Sequence, residues 1–468
     1  MGCKSTFTAL GASLLCCACA SSVNRVPPEQ SIPMPVAYEQ ATDTGATFPS
    51  KDWYRGFGSD ELVQLMQLAE ENNLDLAAAK SRILQANARA RGAGAVLLPQ
   101  LDAGVSATQT NGRARGVTAN ETDWSALFSA SYELDFWGRN RATATAAREI
   151  AAASQADHST LGLTVMASVA NSYFALASLR EREKLAADTL ESMRRVLAVI
   201  DARHQAGAAT DLALAAQKAA VANAELALPQ LQQQQIEMRG ALAVLVGRAP
   251  EGFSIQGASL EGLAEPAIAP GLPAELLLRR PDILAAELNL RAARADVAAA
   301  RAAMFPSITL TGSGGLQHPA VQAAVTTLAG TGYSLTLGAS LVHTIFDGGR
   351  RRALRDEADA HELELIASYR SAILNALLDV ETALATIQHL DLQRSAQVEN
   401  QAQSELAIRG ATLRYREGAG DYLAVTEAQR TLTAANEQFS QYRLARLQAV
   451  VALCKALGGG WETPRREE

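Results

Sequence analysis

The residues of this chain that could carry out chemistry are its histidines, acidic side chains and glycine clusters. His361-Glu362 begins the pattern in which two histidines four positions apart on a helix hold zinc, but the second histidine is missing. The other histidines are scattered along the chain. The Gly-Ser-Gly-Gly stretch at 312–315 leads into a segment around Pro319 and not into a phosphate-binding helix. We therefore predict a protein that is not an enzyme and that has no cofactor and no metal site.

The composition and net charge of the chain argue against further classes of protein. The 468 residues carry a net charge of −7, which argues against nucleic acid as a partner. The chain is 48% hydrophobic and 5% aromatic, and its many alanines favour long, closely packed helices. After about the first twenty residues, we find no run that approaches the roughly 18–20 apolar residues of a membrane helix. An α-helical inner-membrane protein is therefore not expected.

The N-terminal segment reads as a secretion signal. Lys4 provides a positive start, and residues 7–18 are apolar or small. Small residues before a cysteine resemble a bacterial lipoprotein cleavage box, in which the cysteine becomes the lipidated N-terminus. We predict a signal peptide at 1–18 and lipidation of Cys19, with Cys17 as the rival acceptor. A plain signal peptide with unmodified cysteines is the alternative.

The chain contains two copies of one unit. Pro99 and Pro306 end matching alanine-rich segments 207 positions apart, whereas Gly207 and Gly418 are 211 positions apart. Because the offset changes only between the strands, the second copy has a loop insertion of about four residues there. We predict a lipidated extended arm at 19–59, a first repeat at 60–248, a proline-rich linker at 249–274, a second repeat at 275–460 and a tail at 461–468.

Each repeat includes a long proline-free run with a helical pattern, at 141–206 and at 351–417. At 1.5 Å per residue, about 65 residues form a rod of roughly 100 Å, much longer than the helices of globular domains. Each rod ends at a glycine that is followed within three residues by a helix-capping residue type. We therefore predict a tight turn and a return helix in each repeat, at 210–247 and 421–457.

Four segments alternate between apolar and polar residues, at 101–110, 124–136, 306–315 and 333–346. This period over about ten residues fits transmembrane β-strands with a wet inner face. A soluble half-buried sheet is the alternative, but it does not explain strands placed at the ends of long rods behind a lipoprotein signal. Four strands cannot close a barrel, and open edges in lipid are costly. Two copies would give eight strands with a filled interior, and three would give twelve with room for a channel.

Several motifs occur in order along the chain: LRRPDI at 278–283, FPSI at 305–308, FDGGR at 346–350, YREG at 415–418 and YLAV at 422–425. Their residues and order resemble the TolC-like outer-membrane efflux family, in its lipoprotein branch of OprM and NodT-type proteins. The resemblance extends over nearly the whole mature chain. Each motif alone is modest, but the ordered set is specific.

The resemblance implies a mixed α and β membrane protein. It implies a homotrimer, lipid-anchored in the outer membrane, whose twelve-stranded barrel continues into a twelve-helix periplasmic tunnel. The implied function is a passive exit duct for drugs or other small molecules, with a periplasmic adaptor and an inner-membrane pump of the RND type as partners. The alternative function is a periplasmic adaptor lipoprotein, which would need lipoyl-like and barrel segments flanking one hairpin.

The resemblance also implies a periplasmic gate at the helical tips. Tyr415 and Arg416 match the charged and tyrosine contacts that close the family's tunnel, and Glu427 stands where an inward acid is common. Ala213 and Ala424 occupy positions where family members often carry aspartate, which predicts a thinner acidic ring. Ordinary polar cover of a hairpin tip is the alternative reading. The predicted gate and adaptor-contact residues are Tyr415, Arg416, Asp421, Glu427, Thr210 and Asp211.

Overall fold

The computed structural model describes residues 34–39, 48–114, 117–257, 259–260, 262–317, 333–459 and 461. The predicted signal peptide, Cys19 and its rival Cys17 lie outside the described residues.

The two repeats have the same order of elements. The first consists of α1 (Asp60–Asn72), α2 (Leu74–Ala95), β1 (Gln100–Ala114), β2 (Val117–Leu134), α3 (Arg139–Gln205) and α4 (Asp211–Leu245). The second consists of α5 (Leu276–Arg279), α6 (Pro281–Ala302), β3 (Ser307–Gln317), β4 (Tyr333–Val342), α7 (Arg350–Arg416) and α8 (Tyr422–Ala456).

The four strands form one antiparallel sheet in the order β1-β2-β3-β4. The central pair joins the two repeats, with Leu134 opposite Ile308, and Ile308 in turn faces Leu341 of β4. This register places the apolar positions of neighbouring strands on the same face, because side chains alternate with period two. The sheet therefore has one apolar face and two unpaired edges, β1 and β4.

The strand bounds differ from those predicted at 101–110, 124–136, 306–315 and 333–346. β1 and β2 pair for several residues beyond the alternating pattern, as far as Ala114 and Val117. At the other end β2 stops at Leu134, because the Asp135 carboxylate accepts hydrogen bonds from the backbone N–H groups of Asn140 and Arg141, at 2.9 and 2.8 Å. These bonds turn the backbone out of the strand and into α3.

The same corner occurs in the second repeat. Asp347 accepts hydrogen bonds from the backbone N–H groups of Gly349 and Arg351, at 3.0 and 3.1 Å. Hydrogen bonds from the backbone, with that of Arg351 foremost, hold the pKa of Asp347 below its usual range. Gly138 and Gly349 precede the two rods with φ of 81° and 90°, a conformation that suits glycine. The corners thus fix the direction in which each rod leaves the sheet.

The rods α3 and α7 each contain 67 residues and are therefore roughly 100 Å long. Each turns back at its far end into a helix of 35 residues. Gly207 and Gly418 both have a φ of 73° at these turns. The following N–H donates back into the preceding helix, from Ala208 to the Arg203 carbonyl at 2.7 Å and from Ala419 to the Arg414 carbonyl at 2.9 Å. Each repeat therefore ends in a helical hairpin.

The main core lies at mid-height of the rods. The short helix Trp53–Phe57, α1 and the linker pack there against α3 and α8, with Phe57 and Phe174 fully buried. Further residues of the predicted arm also pack, because Tyr38 is buried beside Ile283 and Val380. The prediction of a merely extended arm at 19–59 is therefore wrong for its described parts, since their aromatic side chains join the two cores.

One helix among the described residues, Arg139–Gln205, is long enough and contains a stretch apolar enough to cross a membrane, by length and composition alone. This corrects the expectation that no such run occurs after the first residues. The apolar side chains of this helix have another role, since Val169, Phe174 and Leu176 are buried in the main core.

Candidate gate at the helical tips

The far ends of the two helical hairpins contact each other within one chain. Val196 and Ile200 of α3 pack with Tyr415 of α7 and Val425 of α8 in a small apolar cluster. This cluster lies at the opposite end of the rods from the sheet. It is where a tunnel built from the rods would narrow or open.

Tyr415 is the centre of the first polar contact between the hairpins. Its side chain is 6% exposed, and the guanidinium of Arg203 lies over its ring, 4.7 Å from Cζ to the ring centroid. Arg203 Nη1 also donates a hydrogen bond to the Tyr415 carbonyl at 2.9 Å. A guanidinium that both stacks on a ring and donates to its backbone fixes the two helix ends together.

A second polar contact lies further from the turns of the hairpins. The Tyr422 hydroxyl donates to Gln217 Oε1 at 2.8 Å, and Gln217 Nε2 donates to the Met193 carbonyl at 2.9 Å. Gln217 is fully buried, so it depends on these partners. We call these two residue pairs, Arg203–Tyr415 and Gln217–Tyr422, together the inter-hairpin contact.

The first hairpin turn is held by its own residues. Thr210 caps α4 by accepting a hydrogen bond from the Ala213 N–H at 3.2 Å. Asp211 Oδ1 is 2.6 Å from His204 Nε2, across the turn. Thr210 and Asp211 therefore shape this turn, and their side-chain hydrogen bonds among the described residues stay within the first hairpin.

The remaining predicted residues lie on the exposed side of the second hairpin. Arg416 is the last residue of α7, and Asp421 precedes α8 without a side-chain hydrogen bond to the helix. Glu427 pairs with Arg430 at 3.5 Å, with both side chains mostly exposed. The turn is closely packed at Gly420, where a Cβ would lie 3.1 Å from Arg414 Cβ. Three charged groups are thus presented outward, available to a partner.

The structure brings together only some of the residues predicted from the sequence. Tyr415 takes part in the inter-hairpin contact, whereas Arg416, Asp421 and Glu427 do not. Sequence reasoning did not find Arg203 and Gln217. The only sequence signal for them was polarity among small residues near a predicted turn, which does not identify a partner. Within the described ranges, no group of three or more histidine, cysteine, aspartate or glutamate side chains is arranged to hold a metal ion.

The pattern of duplicated rods, sheet and paired tips matches a known family. The sequence model described as outer membrane efflux protein matches residues 65–248 and 272–459. The chain belongs to the outer membrane efflux protein family. The two matched segments correspond to the two repeats, each with its strands and hairpin.

Similar proteins agree over almost the full chain. The chain is 41% identical over 466 residues to the pyoverdine export outer membrane protein OpmQ of Pseudomonas aeruginosa, covering 98% of this chain and 97% of OpmQ. It is 33% identical over 433 residues to the outer membrane protein OprJ of the same species, covering 90% and 88%. The open-state structure of the MtrE outer membrane channel of Neisseria gonorrhoeae superimposes with a TM-score of 0.83 at 28% identity, covering 92% and 97%.

These findings confirm the predicted family, the outer-membrane location and the role as the outer-membrane duct of a tripartite efflux system. They do not support the adaptor alternative. As the outer-membrane component of such a system, the efflux protein works with an adaptor and an inner-membrane pump. Its relatives are efflux channels and not enzymes.

Proposed function

We propose that three copies of this efflux protein close their sheets into one twelve-stranded barrel, continuous with a twelve-helix tunnel. The observation that carries the proposal is a four-stranded sheet with an apolar face and two unpaired edges. In lipid, each unpaired backbone group at such an edge costs several kcal/mol, so the edges must meet those of other copies. Three copies leave a lumen, whereas two would fill it with side chains.

The duct is passive and is opened from outside. Arg416, Asp421 and Glu427 face outward at the tips, where an adaptor reaches them, and Tyr415 belongs to the inter-hairpin contact. Thr210 and Asp211 support the adaptor surface indirectly, through the shape of the first turn. Engagement of adaptor and pump separates the hairpins by breaking the inter-hairpin contact. Energy comes from these partners.

Lipidated Cys19, the N-terminus of the processed chain, anchors the duct in the outer membrane. Tyr38 packs beside Ile283 near the start of α6, and the 22 residues of α6 rise roughly 33 Å from there to the sheet. The chain from Cys19 to Met34 spans at most about 50 Å when extended. It is therefore long enough to reach the membrane, which supports lipidation at Cys19, with Cys17 as the rival acceptor.

The cargo is a small organic molecule that the pump delivers. OpmQ is named for pyoverdine export and is 41% identical to this chain, so pyoverdine is the first cargo to test. A pyoverdine-producing strain that lacks this protein should accumulate pyoverdine in its periplasm. Unchanged secretion would contradict this cargo.

Planar-bilayer conductance of the purified protein tests the duct directly. We expect large, discrete conductance steps from a protein that migrates as a heat-labile trimer. A protein that inserts without conductance, or that stays water-soluble and monomeric, would contradict the proposal.

A further inference from the structure

A cavity of about 510 Å³, broadly open to solvent, lies within one chain near the level where the rods meet the sheet. α6 and α7 provide its walls through Arg294, Arg301 and Glu362, and Trp137 and Phe305 close one end. Phe305 stands two residues before β3, and Trp137 lies between β2 and α3. The cavity is therefore just outside the sheet, on the side of the rods.

An aromatic cluster connects this cavity to the apolar face of the sheet. The Trp137 ring stacks on Phe305 with centroids 4.6 Å apart, and Phe136 meets Trp137 edge-on at 5.0 Å. Trp137 Nε1 donates to the Pro306 carbonyl at 2.7 Å, which fixes the indole. Tryptophan in this setting is typical of a membrane–water border. If the sheet spans the outer membrane, as proposed above, the cavity lies at the headgroups of the periplasmic leaflet.

The charges around the cavity are mixed and nearly balanced. Arg294 Nε lies 3.3 Å from Glu362 Oε1, and Arg301 Nη2 lies 3.0 Å from Asp359 Oδ1. The two arginine side chains are 59% and 49% exposed, whereas the two carboxylates are 24% and 22% exposed. Each guanidinium has five N–H donors, so both retain donors for a further anion after contacting a carboxylate.

We propose that this cavity binds the headgroup of a phospholipid that carries a phosphate and a primary ammonium, as phosphatidylethanolamine does. The phosphate binds Arg294 and Arg301, and the ammonium binds Glu362 and the face of Trp137. The acyl chains lie along the aromatic cluster on the apolar face of the sheet. An anionic headgroup fits less well, because Glu362 and Asp359 already balance the two arginines. A choline headgroup lacks the N–H donors that Glu362 accepts.

The test uses the full-length protein in nanodiscs with equal amounts of phosphatidylethanolamine, phosphatidylcholine and phosphatidylglycerol. Native mass spectrometry after mild delipidation counts the lipids retained on each oligomer. We expect phosphatidylethanolamine to be enriched, and Arg294→Ala with Arg301→Ala to reduce its retention about tenfold. Arg352→Ala, an exposed arginine in the first turns of α7 that does not line the cavity, is the matched control and should retain the lipid.

A second variant tests whether the negative charge of Glu362 determines which headgroup the cavity prefers. Glu362→Gln still accepts a hydrogen bond from Arg294 but removes the negative charge, so retention should shift from phosphatidylethanolamine towards phosphatidylglycerol. No headgroup selectivity in the wild type, or equal loss in the Arg352→Ala control, would overturn the lipid site. Conductance of the same samples separates the two proposals. A conducting trimer without selectivity overturns only the lipid site, whereas a wild type that forms no conducting trimer overturns both.

Discussion

The rods α3 and α7 have the same length and start 211 positions apart, yet they differ in burial. α3 buries twenty residues and α7 buries eight. α3 packs against α1, α2, α4, α6 and α8 of its own chain, whereas α7 packs chiefly against α6 and α8. One flank of α7 is therefore uncovered. Its exposed large apolar residues are Leu354, Leu363, Leu374, Leu378, Leu392, Val398, Leu406 and Leu413, against Ile150 alone on α3.

Residues at equivalent positions of the two repeats indicate which helix should cover the exposed flank of α7. Within the chain, α3 is joined to α8 by ion pairs, Arg182–Glu437 at 2.6 Å and Glu181–Arg443 at 3.0 Å. Corresponding positions of the two repeats are 211 residues apart. The α8 residues of these ion pairs therefore correspond to residues of α4, and the α3 residues correspond to residues of α7. The equivalent contact would run from α7 to α4, and in the proposed trimer it lies between two copies of the chain.

The residues at this equivalent contact are suited to burial. Arg182 corresponds to Gln393 and Glu437 to Leu226, while Glu181 corresponds to Leu392. Leu392 and Leu226 are 71% and 70% exposed in the single chain. At the proposed boundary, two leucines and two glutamines (Gln393 and Gln232) therefore stand where the contact within the chain has four charged residues. Repeating a head-to-tail contact of this kind around an axis closes a ring.

The largest effect is expected from charges placed on the uncovered flank. Leu392→Asp with Leu406→Asp would bury two unpaired carboxylates at each boundary, at a cost of several kcal/mol. We expect the trimer to be lost, as measured by native mass spectrometry. The matched control is Arg195→Asp, the position on α3 that corresponds to Leu406. A trimer that survives the paired leucine variant would show that α7 does not form the boundary.

A pair of introduced cysteines tests whether α7 of one copy lies beside α4 of the next. A short bismaleimide should join Leu226→Cys to Gln393→Cys between copies, because these positions correspond to Glu437 and Arg182, whose long side chains bridge two helices. Denaturing electrophoresis should then show cross-linked oligomers. The native Cys454 is fully buried and does not interfere. Leu226→Cys with Arg182→Cys keeps one partner and should give no intermolecular bond; cross-linking in that control would contradict the assignment.

Disruption of the inter-hairpin contact should open the tips. Arg203→Ala removes a stacked guanidinium and its hydrogen bond, which together stabilise the contact by about 1.5–3 kcal/mol, so the open population should rise by roughly tenfold or more. Tyr422→Phe removes one hydrogen bond from the buried Gln217 and should have a smaller effect, about fivefold. Open probability in planar bilayers measures both.

The control for the tip variants is Arg430→Ala. Arg430 forms an ion pair with Glu427 on the exposed side of α8, and exposed pairs of this kind contribute little. Its open probability should equal that of the wild type. If Arg203→Ala behaves like this control, the inter-hairpin contact does not hold the tips closed.

The smallest effect is expected at the two corners. Asp347→Ala and Asp135→Ala each remove a carboxylate that accepts from the N-terminal N–H groups of a rod, and each should lower the dissociation temperature of the trimer by a few degrees. The pKa of Asp347 is lowered in the fold. Its contribution is therefore complete above the ordinary aspartate pKa and is lost as the pH falls through the lowered value. The difference between wild type and Asp347→Ala should vanish at strongly acidic pH. A difference that persists there would contradict this role.

The rods could be predicted because their signals are local. The absence of proline and the glycine at each turn indicate where α3 and α7 end, and neither signal depends on distant contacts. The strand ends were mispredicted because the alternating pattern continues through Phe136, while the Asp135 cap ends pairing at Leu134. Local pattern cannot show that competition.

The residues at the helical tips show more clearly what could not be predicted from the sequence. Tyr415 could be found by resemblance, but its partner Arg203 lies 212 positions away and the two meet only when the hairpins are side by side. The packing of Tyr38 on α6 likewise depends on the assembled core. Partner choice across the repeats is a tertiary property, so the sequence identified Tyr415 but neither its partner Arg203 nor the pair Gln217 and Tyr422.

The subunit number of the detergent-solubilised protein tests the central claim most directly. Native mass spectrometry should give the mass of three chains, and the Leu392→Asp, Leu406→Asp variant should give the mass of one. A wild-type mass of one or two chains, or a trimer that tolerates both charges on α7, would contradict the account.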